Sequence, residues 1–178
     1  MPCLLIAGCA ARPQTTRMTV DDFQVISSAM ATSFLASNAL ARRTPNSPLW
    51  IVSLDKVTNL SSDVMTTDEQ WAIMARLLGQ MPIASLWQQK NIRFVLPPER
   101  TEQIRQSDIN DEARGDFGAA RNVSHTMTAT FTSITRAQAT DRTDIYYCEF
   151  DIINLTKGLA VWNDRFKYKR AARGHIWN

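Results

Sequence analysis

The sequence predicts an α/β fold: a mixed β-sheet ending in a C-terminal antiparallel meander, flanked by helices. Three observations predict it. The stretch 121–170 holds three consecutive segments that alternate with period 2, residues 125–134, 144–155 and 158–170, separated by short turns. Ahead of them, stripes of helical period alternate with short apolar runs, in the order helix, strand, helix, strand, helix. Each meander segment is apolar on one side only, and that side needs a layer of helices over it.

The elements follow in chain order. Thr19 with Asp22 three residues on has the form of a helix N-cap with an acidic N3 residue. Phe23, Ile26, Met30 and Phe34 then follow at spacings of three and four, one face of a helix reaching about Ser37. Pro45, Asn46, Ser47 and Pro48 mark 42–48 as a loop. The nearly continuous apolar run 49–54 reads as a central strand covered on both faces, and 55–62 as a polar, turn-prone loop in which Asn59 and the serines bond neighbouring backbone. Thr67 and Gln70 fit a capping box opening a helix through Trp71, Met74, Leu77 and Leu78 to Gly79. Residues 81–90 read as a short helical turn with Pro82 at its start. Residues 92–96 form a second strand stopped by Pro97 and Pro98, and 99–109 an exposed helix anchored by Ile104 and Ile109. Residues 110–118 are mixed polar with glycine and carry no periodic signal.

In the meander, Met127, Ala129 and Phe131 share one face, with Thr126, Thr128, Thr130 and Thr132 on the other. Tyr146, Cys148, Phe150 and Ile152 share a face of the second segment. In the third, Trp162, Phe166 and Tyr168 lie opposite Arg165, Lys167 and Lys169. Gly158 supplies the positive φ that a tight hairpin requires, and Trp162 is expected to pack into the core beneath a helix.

Composition narrows the function. A chain of 178 residues that is 44% apolar fits one folded domain with a real core. A net charge of +3 does not demand a polyanion. Arg165, Lys167, Lys169, Arg170 and Arg173 crowd the end and read as a solvated strand face and tail. The aromatics Phe166 and Tyr168 point the other way, so no stacking platform for nucleic acid forms. No run of about 18 apolar residues is present to span a bilayer as a helix.

Catalytic signatures are missing too: the chain has no GxSxG, Walker, HExxH or GxGxxG motif. The three cysteines, Cys3, Cys9 and Cys148, lack metal-ligand spacing, and Cys148 lies on an apolar strand face as a small hydrophobe. The two histidines, His125 and His175, have no cysteine or acidic residue at ligand spacing, so neither metal nor other cofactor is expected. Asp63, Asp68 and Glu69 lie near a helix N-terminus, where the dipole favours acid. Glu149 and Asp151 share a strand face, a pair of the kind acid–base catalysis uses. Arg165 and Lys167 on the neighbouring strand make cross-strand ion pairs the simpler explanation. A hydrolase using Glu149 or Asp151 ranks last among the readings, no catalytic residue is assigned, and no small-molecule substrate is expected.

At the amino end, Leu5-Ile6-Ala7-Gly8-Cys9 resembles a bacterial lipobox, with small residues at Ala7 and Gly8 beside the cut and Cys9 as the lipid-attachment residue. The expected organisation is 1–18 as lipoprotein signal remnant and short tether, then 19–178 as a single α/β domain. The nine residues from Ala10 to Met18 extend at most about 30 Å.

Three segments together resemble the LpoB family of lipoproteins, activators of bifunctional penicillin-binding proteins. They are Pro48-Leu49-Trp50-Ile51-Val52 through Asn59-Leu60-Ser61-Ser62, then Met127 through the Thr132-Ser133-Ile134 turn, and Tyr146-Tyr147 through Leu155-Thr156-Lys157-Gly158 to Val161-Trp162-Asn163-Asp164. The resemblance covers about Met18 to Arg170. More distantly, the pattern is similar to CsgG-type outer-membrane secretion proteins and to the amino-terminal domain of TolB. The resemblance implies a periplasmic protein lipid-anchored to the outer membrane that binds a penicillin-binding protein and stimulates peptidoglycan synthesis, with no chemistry of its own. The alternative it implies is a CsgG-like envelope assembly or secretion component that oligomerises. It identifies no partner-binding residues.

Overall fold

A computed structural model describes residues 15–107, 122–137 and 141–173, and the side chains of 103–107 and 173 are outside that description. The chain runs α1 (Val20–Leu35), α2 (Asn38–Ala41), β1 (Trp50–Leu60), α3 (Thr67–Gly79), α4 (Ile83–Lys90), β2 (Ile92–Val95), α5 (Pro98–Ser107), β3 (His125–Ala137), β4 (Asp141–Asn154) and β5 (Leu159–Arg173). The strands make one sheet in the order β2-β1-β3-β4-β5. β2, β1 and β3 run parallel, and β3, β4 and β5 form the antiparallel meander. Cys3, Cys9, Ile109, residues 110–118 and His175 lie outside the described residues.

Strand parity decides where the core sits. Val52, Leu54, Val57, Met127, Ala129, Phe131, Tyr146, Cys148, Phe150, Ile152 and Trp162 all point to one face and are buried there. α1 and α3 cover that face with Ile26, Met30, Phe34, Ile73, Met74 and Leu77. The Trp162 ring meets Phe34 edge-on at 5.2 Å between centroids, clamping β5 to the last turn of α1. The other face carries the meander threonines, Tyr147, Glu149, Arg165 and Lys167, half-buried to exposed. The described residues therefore form two layers.

Helix ends are set locally. The Asp22 carboxylate accepts the Thr19 N–H at 2.7 Å and starts α1 as expected. The box that starts α3 is Thr66 with Glu69, one residue earlier than Thr67 with Gln70. Both pairs fit the pattern, but only Glu69 brings a negative charge to the positive end of the helix dipole. α4 begins after Pro82 and ends at Asn91, whose φ of 52° places it in the left-handed region that asparagine tolerates. Gly158, at φ 64°, turns β4 into β5, with its N–H donating to Asn154 O at 2.8 Å.

β1 corrects the reading of 49–62 twice. It is not covered on both faces: Val52 and Leu54 are buried, while Ile51 and Ser53 are half-buried on the open face. Nor does it end at Leu54. The strand bulges between Leu54 and Val57 and continues to Leu60, pairing Thr58 with Thr130 and Leu60 with Thr132. Turn-prone residues are strand here because β3 offers a partner edge, and pairing outweighs local preference. The bend at 61–63 after it is held by Asn59, whose Nδ2 donates to Asp63 O at 2.6 Å and whose Oδ1 accepts the Ser61 N–H at 3.0 Å.

At the end of the sheet where β1 and β3 begin, His125 stacks on Trp50 at 4.3 Å, and the Arg43 guanidinium lies 4.1 Å from the centroid of the same indole. Arg43 is buried, donating to the carbonyls of Lys90, Pro48 and Asn91. Its cation is thus satisfied by backbone dipoles, which closes the loop 42–48 against the end of α4. Asn154 donates Nδ2–H to His125 Nε2 at 3.1 Å, its Oδ1 being committed to the Lys157 N–H. Nδ1 therefore carries the ring proton and donates to Ser124 Oγ at 2.8 Å. Burial, and then the nearby Arg43 charge, lower the His125 pKa to about 4.

Two outcomes follow from this packing. Trp162→Ala should cost about 3–5 kcal/mol in urea unfolding, as large-to-small aromatic changes in cores do, whereas Lys167→Ala on the open side of β5 should stay within about 0.5 kcal/mol. The unfolded His125 takes its proton near pH 6.5 and the folded one only near 4. Between those values the unfolded state binds more protons, so stability is full above the window, falls as pH drops through it by about 3 kcal/mol, and levels off below. A wild-type urea midpoint no steeper in pH across that window than that of His125→Gln would contradict the assignment.

Candidate docking surface

The side chains that first suggest chemistry are committed elsewhere. Glu149 and Asp151 face outward from β4, opposite Arg165 and Asn163 of β5. Arg165 forms a salt bridge to Glu149 at 2.5 Å, and Asn163 Nδ2 donates to Asp151 Oδ1 at 2.6 Å and to Glu149 Oε1 at 3.2 Å. The Arg165 hydrogen bond, then that of Asn163, holds the Glu149 carboxyl below its usual range. Such a group stays ionised near neutrality and makes a poor general acid. Cys148 is fully buried and burial pushes its thiol up to about 12, so no thiolate is available. Asp68 and Glu69 open α3, and Arg100 of α5 reaches Asp68 at 3.6 Å. Among the described residues no three His, Cys, Asp or Glu side chains come together to hold a metal.

Charged and polar residues at inward strand positions do something the sequence reading missed. Arg170 is not part of a solvated face: it points under α1 and pairs with the buried Asp22 at 3.3 Å. Asp164, also inward, accepts from Ser33 of α1. Together they rivet α1 along β5 at both ends. Asp63 is not a helix-dipole residue either; it is buried and accepts the Met18 N–H at 2.8 Å. Beside it, the fully buried Asp144 accepts from Thr16 Oγ1 and from Arg142 Nε at 3.1 Å, while Tyr146 OH donates to the Thr16 carbonyl at 3.1 Å. Burial, then Asp63, raises the Tyr146 pKa, so its phenol stays a donor. The chain entering α1 is thereby fixed to the start of β4. The available signal was parity: 142, 144, 164 and 170 share the inward alternation of their apolar neighbours.

What remains for a partner is the face of the sheet that no described helix covers. Across β1, β3, β4 and β5 its rows read Thr58, Thr130, Glu149, Arg165 and then Leu60, Thr132, Tyr147, Lys167, followed by Ile134, Ile145, Lys169. Leu60 is 65% exposed and Ile134 51%. Lys167 Nζ lies 6.0 Å from the Tyr147 ring centroid. A surface built on paired strands and carrying exposed apolar groups suits protein contact.

The Thr16 anchor gives a test. Asp144→Ala removes a buried carboxylate shared by Thr16 and Arg142 and should cost about 3–5 kcal/mol in thermal or urea unfolding. It should also expose residues 15–18 to proteolysis, whereas Glu149→Gln, on the open face, should leave both readouts within about 0.5 kcal/mol of wild type.

No curated protein matches the chain. Among solved structures, the LpoB C-terminal domains of Salmonella enterica and Escherichia coli are similar at 9% and 11% identity, each covering 83% of this chain and 98% of theirs with TM-score 0.45. A lipoprotein from Neisseria meningitidis is similar at 15% identity over 68% of this chain and 83% of its own, with TM-score 0.41. The family assignment comes from sequence: the family model of the peptidoglycan-synthase activator LpoB matches residues 22–168, from the Asp22 cap of α1 to Tyr168 of β5. A match of that extent across one two-layer domain makes this chain a member of the LpoB family of peptidoglycan-synthase activators.

Proposed function

We propose that this protein is an outer-membrane-anchored periplasmic lipoprotein, lipidated at Cys9, that binds a bifunctional penicillin-binding protein and activates it. The observation that carries the reading is the family match across residues 22–168. The lipobox-like Leu5-Ile6-Ala7-Gly8-Cys9 supports the anchor. Glu149 is held in an ion pair and the Cys148 thiol is buried, which supports an activator that does no chemistry itself. Activation then means differential affinity: the domain binds the active arrangement of the synthase more tightly than the resting one and shifts the population toward it. No nucleic acid and no small-molecule substrate enters this scheme.

The reading is tested by adding the purified domain to a bifunctional penicillin-binding protein from the same organism and following glycan polymerisation. A several-fold rate increase that saturates with the domain is expected, and an unchanged rate sinks the reading. In cells, incorporation of a fatty-acid analogue should be abolished by Cys9→Ser; label that persists in that variant removes the anchor. Light scattering of the domain should show a monomer, whereas a stable ring would favour the assembly-component alternative.

A further inference from the structure

The open face of the sheet is not uniform, and its charge is graded. Asp151 is held by Asn163, and one row on Glu149 and Arg165 neutralise each other. In the next two rows the β5 residues are Lys167 and Lys169, both exposed, and Arg136 of β3 is exposed beyond them. Asp141 lies on the same face further out and is already engaged. Between these cations lie apolar groups: Leu60 and Ile134 are exposed, and Ile145 and Tyr147 half-buried. Exposed apolar side chains beside lysines that make no ion pair among the described residues form a protein contact site with a stated preference.

The geometry points to this corner, built by Leu60, Ile134, Ile145, Tyr147, Lys167 and Lys169, as the surface that docks an acidic segment of the synthase bearing at least one apolar side chain. The inference rests on the proposed function and supplies the contact surface that reading lacks. Charge complementarity selects the occupant. A second copy of this chain is disfavoured, because antiparallel pairing along the β5 edge would set Arg165, Lys167 and Lys169 against their own counterparts. The carboxylates of the partner would face Lys167 and Lys169, and its apolar group would lie over Ile145 and Tyr147. The surface is preformed: Ile145 stands between Asp144 and Tyr146 and Tyr147 follows directly, and the inward side chains of Asp144 and Tyr146 fix the start of β4, so binding requires little ordering.

The test measures binding of the full domain to the purified periplasmic portion of a bifunctional penicillin-binding protein, at two salt concentrations, for wild type, Lys167→Glu/Lys169→Glu and Arg42→Glu. Arg42 is exposed at the end of α2 and serves as a charge-matched control. Wild type should bind with affinity that weakens as salt rises, the double variant should lose about tenfold or more, and Arg42→Glu should be unchanged. Equal binding by the double variant overturns the surface and leaves the functional reading standing. Absent binding by wild type removes the functional reading and this occupant with it. In parallel, vesicles of phosphatidylglycerol and phosphatidylethanolamine are offered to the same three proteins. If the double variant loses vesicle binding while retaining the synthase, the corner is a membrane contact and the proposal fails. Unchanged thermal unfolding confirms that a loss is not a folding defect.

Discussion

The constraint on which this domain depends is the one-sidedness of its sheet. Five strands present their apolar residues to a single face, and α1 and α3 cover it, with Leu40 of α2 and Leu86 of α4 at its margin. Parity then propagates everywhere, because a strand cannot slip by one residue without turning its core side chains to water. Trp162 holds that register at the edge: it is inward on the last strand and locked edge-on against Phe34. The bulge that shifts the pairing between Ile152 and Ile153 lies directly beside it, so the strand bends where the indole must fit.

Apolar packing alone would let α1 slide along the sheet. The inward polar residues prevent that. Asp22 meets Arg170 and Ser33 meets Asp164, some three turns apart on α1 and six residues apart on β5, so helix and strand are fixed at both ends in antiparallel order. Buried pairs of this kind contribute little net stability against an apolar replacement, but breaking one is costly, which makes them devices of alignment. Asp22 does two jobs: the same carboxylate caps α1 and accepts Arg170. Tyr168 is drawn into this group as well, its hydroxyl bonded to Asp22, which together with burial raises its pKa.

Most of the fold was legible because its signals are local or periodic. The meander showed itself by alternation, α1 by its cap and stripe, and the last hairpin by Gly158. The features that escaped depend on distant partners. Nothing local says that Asp55 to Leu60 will find β3, since its turn-forming residues suit a loop equally well until an edge is offered. Thr66 and Thr67 both begin valid capping boxes, and choosing between them needs the charge of Glu69 weighed against the amide of Gln70. Arg43 was read as loop because its carbonyl partners come from Pro48, Lys90 and Asn91 in separate segments. The open face was half legible: its lysines and threonines were placed on the correct side, but the grading of charge needs the cross-strand register that pairs Glu149 with Arg165 and leaves Lys167 opposite Tyr147.

Activation by differential affinity, as proposed, draws on binding free energy, and a structure that works this way must not consume that energy in ordering itself. Each 1.4 kcal/mol of differential affinity between the two states of a target shifts their ratio about tenfold. A contact surface made of mobile loops would give up a good part of that to conformational entropy. Here the exposed face belongs to the same strands whose inner face is the core, so its side chains stand on backbone already held by pairing on both sides in β3 and β4. The layer of helices that stabilises the domain is thus what keeps the opposite face in place.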